Sequence, residues 1–270
     1  MRLRQISIAI IAFLLTVGTA AAASKEEIRV MDATDNVDQI LRIPEQRIPS
    51  RLLSRAYAVA VIPRVLKVGF GLGVRHGRGI LVVRQDDNSW SNPAFVRLTG
   101  GSFGFQAGAQ STDIILVFKT RSSVDGITSG KLTLGADASV AAGPVGRSAE
   151  AATDWTFRSE VFSYSRSRGL FAGVALQGAG VTMDRKANAA FYGNPAITPE
   201  MIFEGSGNAA PQAADNFVQV LAAHTNQLPI RPGAAAVNAA APSQAQPQDQ
   251  AHSEVKTYGM NMDPDEDLRD

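Results

Sequence analysis

From Tyr57 onward, glycine recurs inside short apolar runs rather than only between them: Gly69, Gly71 and Gly73, then Gly100, Gly101, Gly104 and Gly108, then Gly169, Gly173, Gly178 and Gly180. The runs alternate or are wholly apolar and are bounded by Gly, Pro, Asn and Asp, which is the signature of many antiparallel strands. The clearest are 58–62, 65–74, 79–84, 94–98, 103–109, 114–119, 138–142, 149–157, 160–164 and 170–183. That is too many for one flat sheet, and glycine within a strand marks a sharp bend, a bulge or a close backbone approach. The pattern therefore predicts a mainly β domain with flanking α-helices (α+β), antiparallel and curved strongly into a barrel-like or two-sheet body. Asp86-Asp87-Asn88-Ser89 reads as a hairpin turn that sets Trp90 opposite Val83 or its neighbours.

Helical patterning flanks the β region. Before it, Ser24 to about Ser54 reads as two short helices. In the first, Val37, Ile40 and Leu41 share a face and Pro44 ends it. In the second, Ser50 is the N-cap, Leu52, Leu53 and Ala56 form the apolar side, and Arg51 and Arg55 sit one turn apart. This second helix is amphipathic and basic. After the β region, helices are expected at Asn188–Tyr192, Pro199–Glu204 and Ala213–His224, the last carrying Phe217, Val218 and Leu221 at helical spacing.

The two ends read differently. Arg2 and Arg4, an apolar stretch from Ile6 to Val17 and the small residues Ala21-Ala22-Ala23 follow the order of a cleavable signal peptide (1–23), cut after Ala23. The expected location is periplasmic or secreted, with peripheral membrane association. No cysteine occurs anywhere, so the fold has no disulfide, and a lipid anchor on cysteine, thiolate metal sites and cysteine nucleophiles are excluded. The folded domain is expected at 24–227. Residues 228–270 are rich in Ala, Pro and Gln, lack the apolar content to offset ordering entropy, and read as a disordered tail ending in acids.

The net charge of +1 conceals a strong asymmetry. Ten basic residues face three acids between Arg42 and Arg97, whereas the segment Asp249–Asp270 holds seven acids and two basic residues. A basic block of this kind suits an anionic partner or a tail that screens it. Arginines can hold lipid phosphates bidentately while an apolar helix face dips into the interface. Nucleic acid is not expected, because the chain is exported and carries no nucleic-acid-binding signature.

Catalytic chemistry is not legible. The histidines are His76, in the turn-like Val74-Arg75-His76-Gly77-Arg78, and His224 and His252 near the C-terminus; no two share a metal-ligand spacing. Gly100-Gly101-Ser102-Phe103-Gly104 matches G-x-S-x-G formally, but the residues after Gly104 alternate like a strand rather than a helix, so the motif reads as a glycine-rich bend. The segment from Gly69 to Gly79 matches neither a Walker nor a dinucleotide pattern. Asp113, Asp137 and Asp154 stand in separate segments as turn or strand-end residues. No enzyme activity, cofactor or metal is expected.

Five segments in order resemble the SYLF domain family: VIPRVLKVGFGLG from Val61, WSNPAF from Trp90, GGSFGFQAGAQSTDIILVF from Gly100, LGADASVAAGPVGR from Leu134 and SYSRSRGLFAGVALQG from Ser163. The resemblance spans roughly Ile40 to Leu221. It implies a non-enzymatic lipid-binding domain, β-rich with flanking helices, that in eukaryotic members binds phosphoinositides with a basic amphipathic N-terminal region as the membrane contact, and in fungal members also binds actin. Carried onto this sequence, the contact falls on Arg51, Arg55, Arg64 and Lys67, to which the basic block adds Arg47, Arg75 and Arg78 as lipid-binding candidates. Export implies that actin and phosphoinositides, being cytoplasmic, are not the partners. An anionic phospholipid surface of the envelope is expected instead, or alternatively an envelope protein held by an adaptor-like surface.

Overall fold

A computed structural model describes residues 23–43, 47–145, 158–167 and 170–225; within it the side chains of residues 70–72 and 102–107 are not described. The signal peptide expected at 1–23, apart from Ala23, the expected tail and the strand expected at 149–157 lie outside the described residues.

The chain opens with α1 (Lys25–Arg42), an 18-residue helix where the sequence suggested a short one. A capping box fixes its start: the Glu27 N–H donates to Ser24 Oγ (3.1 Å) and the Ser24 N–H to Glu27 Oε2 (2.6 Å). Val30, Ala33, Val37 and Ile40 then make one buried stripe. A short α2 (Ser50–Ser54) follows, with Pro49 rather than Ser50 at the N-cap.

Two long strands dominate, β1 (Ala58–Val83) and β2 (Ala94–Phe118), each uniting three of the runs read from sequence. They pair antiparallel from Ala58↔Phe118 to Leu81↔Ala94, with register shifts between Ile62 and Val65 and between Gly69 and Gly71. The turn between them is the one expected, with Asn88 at φ 71° and Trp90 bridged to Arg84. Next come α3 (Arg121–Ser129), which the sequence reading missed, β3 (Lys131–Thr133), β4 (Val140–Ala142), β5 (Val161–Ser167), β6 (Leu170–Gly173) and β7 (Gly180–Met183). The expected run 170–183 is thus two strands. The helices α4 (Arg185–Tyr192), α5 (Pro199–Glu204) and α6 (Gln212–Thr225) match the three expected.

The seven strands form one sheet ordered β3-β7-β2-β5-β4, with β1 on β2 and β6 on β5; only β4–β5 is parallel. The sheet curls into a half-barrel with apolar packing on both faces. Val59, Val61, Ile80, Val82, Ile115 and Val117 join one core with α1, α2, α4 and α6, while Ala58, Ala60, Ile62, Leu81, Leu116 and Phe118 join a second with α3, β3 and β7. Burial on both faces explains why these stretches are continuously apolar rather than alternating.

The curl has an identifiable atomic cause. Strand β1 passes over itself, so a Cβ on Gly79 would lie 2.1 Å from the Val61 carbonyl oxygen, and one on Gly77 would lie 2.6 Å from Val65 Cγ2. Only glycine permits that approach. Flanking contacts fix the ends of the ribbon: Trp90 Nε1–H donates to Thr225 Oγ1 (2.8 Å), Tyr192 Oη–H to the Pro93 carbonyl (2.8 Å), and the Phe95 N–H to Asn188 Oδ1 (2.6 Å).

Candidate binding surface

The basic block divides in three dimensions into structural and surface arginines. Arg84 is buried, donates to Asn88 Oδ1 (2.6 Å) and the Leu53 carbonyl (2.9 Å), and lies over the Trp90 ring at 4.4 Å. Arg97 donates to Asp184 at 2.5 Å, and that hydrogen bond is the main cause holding the Asp184 carboxyl below its ordinary range, against the opposing effect of its burial. Arg42 is paired with Asp38 at 2.7 Å. Arg84 and Arg97 tie separate elements of the fold together, whereas the Arg42 pair is an exposed contact within α1.

Of the lipid-binding candidates, Arg47 and Arg55 are half-buried and Arg51 is exposed, and all three make contacts of their own with the protein. The apolar side of their helix faces inward: Leu52, Leu53 and Ala56 are 1%, 4% and 0% exposed. The expectation that this apolar side dips into a lipid interface is therefore corrected, because the core already covers it. At five residues the helix is also too short to present an independent amphipathic face.

Arg64, Lys67, Arg75 and Arg78 all stand on β1. Arg64 occupies the bulge where the register shifts, at φ 51°, a conformation that costs a non-glycine residue about 1 kcal/mol or more. Its N–H donates to Asp113 Oδ1 (2.9 Å) and its guanidinium pairs with Asp32 on α1. This left-handed residue turns the side chain out of the strand's regular alternation. Because β1 crosses itself, Arg64 lands beside His76 and Arg78, and the three line an open depression with Arg29, Asp32 and Leu66. His76 and Arg78 thus belong to a strand, not to the turn suggested by their sequence. Arg75 is half-buried, its Nε shielded without a hydrogen-bond partner.

Next to this depression the ribbon changes character. Outside its central stretch β2 gains a second neighbour, β7 against Val96–Thr99 and β5 against Asp113–Phe118, but residues 100–104 and 108–112 pair, among the described residues, with β1 alone. Here Leu66, Val68 and Val74 are 47%, 43% and 68% exposed, and they alternate along β1 with Lys67, Gly73 and Arg75. These apolar side chains turned toward solvent and bordered by His76 and Arg78 form an exposed apolar patch among the described residues. The sequence reading missed it, although the alternation in VLKVGFGLGV carries the signal. Arg29 was missed too, because it lies on α1, well before the basic block.

Among the described residues no group of three or more His, Cys, Asp or Glu is placed to hold a metal. Ser102 pairs with Gly73 in the middle of β2, without the strand-turn-helix geometry of a nucleophile elbow. His224 is 3.7 Å from Asp38, Asp113 receives the Arg64 N–H, and Asp137 receives the Thr133 N–H at 2.6 Å; Asp154 lies outside the described residues. No helix among the described residues is long and apolar enough to cross a membrane.

Fold and surface together define a curled α+β domain that offers a basic depression and an apolar ribbon. Residues 99–224 match the family model described as "Ysc84: Las17-binding protein actin regulator". Protein YSC84 of Saccharomyces cerevisiae is 40% identical over 180 residues, covering 66% of this chain and 38% of that protein. LAS seventeen-binding protein 3 of the same yeast is 39% identical over 66% of this chain and 39% of its own length. The human SH3 domain-containing YSC84-like protein 1 is 31% identical over 68% of this chain and 53% of its own. The chain belongs to the Ysc84/SYLF family, and it spans well under two thirds of the length of each of these relatives. The family description and the name of LAS seventeen-binding protein 3 speak of binding and regulation.

Proposed function

We propose that this chain is a non-enzymatic, peripheral lipid-binding protein of the cell envelope that docks on anionic membrane surfaces. The observation that carries this reading is the exposed apolar stretch Leu66, Val68 and Val74, continuous with Arg64, His76 and Arg78. A basic residue at an anionic surface contributes about 1 kcal/mol, and a half-exposed aliphatic side chain entering the interface about the same. Either set alone gives marginal attachment, whereas the two together give reversible binding, as for other two-signal membrane contacts. Arg47, Arg51, Arg55, Lys67 and Arg75 add to the positive field around this contact. The signal-peptide pattern of residues 1–23 supports the envelope location.

Vesicle sedimentation of the chain from Ser24 onward tests the reading. Recovery with vesicles containing phosphatidylglycerol should exceed that with neutral phosphatidylcholine and fall as salt rises. The triple change Leu66→Ser, Val68→Ser, Val74→Ser should remove most of it. Equal recovery on both vesicle types at low salt refutes the proposal. A second reading, attachment to a protein partner of the envelope, is favoured by the Las17-binding description of the family. It requires a partner recovered equally well by the triple variant, with negligible lipid binding throughout.

A further inference from the structure

We propose that the depression between α1 and β1 is a binding site for a tetrahedral phosphate group, held by Arg29, Arg64 and Arg78 with His76 at its rim. This deepens the membrane reading by naming the headgroup chemistry, yet the site stands on its own geometry.

Arg29, Arg64 and Arg78 line one open hollow of about 380 Å³, and the sole acid lining it is Asp32, which is already paired with Arg64. Like charges gathered this way repel unless a counter-ion joins them. Arg29 also lacks an acceptor at one of its donors. Its guanidinium lies over the Phe95 ring at 5.4 Å, and its Nη1 is shielded from water with no hydrogen-bond partner. A shielded charged donor without an acceptor costs the full desolvation of that group, and folded proteins seldom leave one so. Desolvation, foremost, and the nearby Arg78 and Arg64 hold the Arg29 pKa below its usual value, against the opposing pull of Glu26 and Asp184.

An anion in the hollow would neutralise the repulsion, and a turn of the Arg29 side chain toward it would give Nη1 its acceptor. Phosphate suits it best, since planar guanidinium forks match two oxygens of one tetrahedral group. A carboxylate offers only two oxygens for three arginines. The hollow also opens beside Leu66, the first residue of the exposed apolar stretch, so a phosphate carried by a lipid has its acyl chains on the correct side.

Thermal unfolding of the chain from Ser24 onward, titrated with inorganic phosphate against chloride at matched ionic strength, reads the site directly. Saturable stabilisation is expected, with half-saturation weakened about tenfold or more in Arg29→Gln and in Arg78→Gln. Arg29 is packed, so the exposed Arg78→Gln keeps the test meaningful if Arg29→Gln fails to fold. No saturable response, or one unchanged in Arg78→Gln, overturns the site. Phosphatidylglycerol vesicles form the second arm. Competition between phosphate and vesicles, lost in Arg78→Gln, identifies the source as a lipid headgroup and supports the site. Phosphate binding without vesicle binding retains the site with free phosphate as its ligand and refutes the membrane reading. Vesicle binding that ignores both phosphate and Arg78→Gln does the reverse.

Discussion

Replacing Gly79 by alanine probes the crossing on which both surface features depend. The new Cβ would stand 2.1 Å from the Val61 carbonyl oxygen and 2.6 Å from Ile62 Cα, both backbone atoms that cannot rotate aside. Ordinary carbon contacts lie at about 3.5–4.0 Å, so the two passes of β1 must separate by roughly 1 Å. Ile62 and Ile80 are both fully buried, in cores filled on either face of the sheet, which leaves little room for relaxation. Overpacking in such surroundings costs about 1–3 kcal/mol, and a backbone clash belongs at or above the upper end. Reduced entropy of the unfolded chain returns only about 0.4–1 kcal/mol. Gly101→Ala is the matched control: it lies on the same ribbon opposite Val74, with nothing within 4 Å of its Cβ, so only the favourable entropy effect remains. Urea denaturation should therefore separate the two variants by about 3 kcal/mol. A Gly79→Ala protein within about 1 kcal/mol of Gly101→Ala would refute the self-crossing of β1, and with it the placement of Arg64 beside His76 and Arg78.

Three further substitutions test other parts of the structure. Arg64→Gly relieves about 1 kcal/mol of left-handed strain and gives up an exposed ion pair worth about 0.2–1 kcal/mol, so urea stability should stay nearly constant while phosphate and vesicle binding weaken. Asp184 caps α4 through the Ala187 N–H (3.2 Å) and pairs with Arg97, and its folded pKa lies below the unfolded value. Its stabilisation is therefore complete above the ordinary carboxylate range and lost as pH falls through the lowered folded pKa. Asp184→Asn should unfold more easily at neutral pH and lose part of the acid sensitivity of the parent; parallel stability–pH curves for the two proteins would count against this. Trp90→Phe removes the donor to Thr225 and weakens the contact with Arg84, with an expected loss of about 2 kcal/mol in a chemical melt.

Much of the fold is legible in the residues. The three C-terminal helices follow from spacing, and the hairpin at Asp86–Ser89 from turn chemistry. The continuity of β1 and β2 is not, because glycine breaks a sequence pattern without breaking hydrogen-bond pairing, so each strand reads as three. The full length of α1 was signalled by Ser24 and Glu27, three residues apart, and by Val30 and Ala33 extending the face of Val37. Helix α3 offers no such signal: after Arg121 the segment RSSVDGITS lacks strong helix formers and is held by the burial of Ser123, Val124 and Ile127. Charge along the chain located a basic surface but not its members. Arg97 is neutralised by Asp184, 87 residues away, while Arg29 joins the depression from another element.

The outward apolar face of the ribbon follows from the same constraint that curls the sheet. Packing on one face of the half-barrel is completed by α1, α2, α4 and α6, and on the other by α3, β3 and β7, and Leu66, Val68 and Val74 belong to neither core. Leu66, Val68 and Val74 could be hidden only by unrolling β1, which would undo the approach made at Gly77 and Gly79. A two-stranded ribbon with an apolar face also invites edge-to-edge association. Lys67 and Arg75, interleaved with those apolar residues, place charge along the strand that would face another chain, a recognised defence against such pairing. The same positive charge favours an anionic lipid surface. Exposure combined with that defence is what the proposed membrane contact requires of this strand.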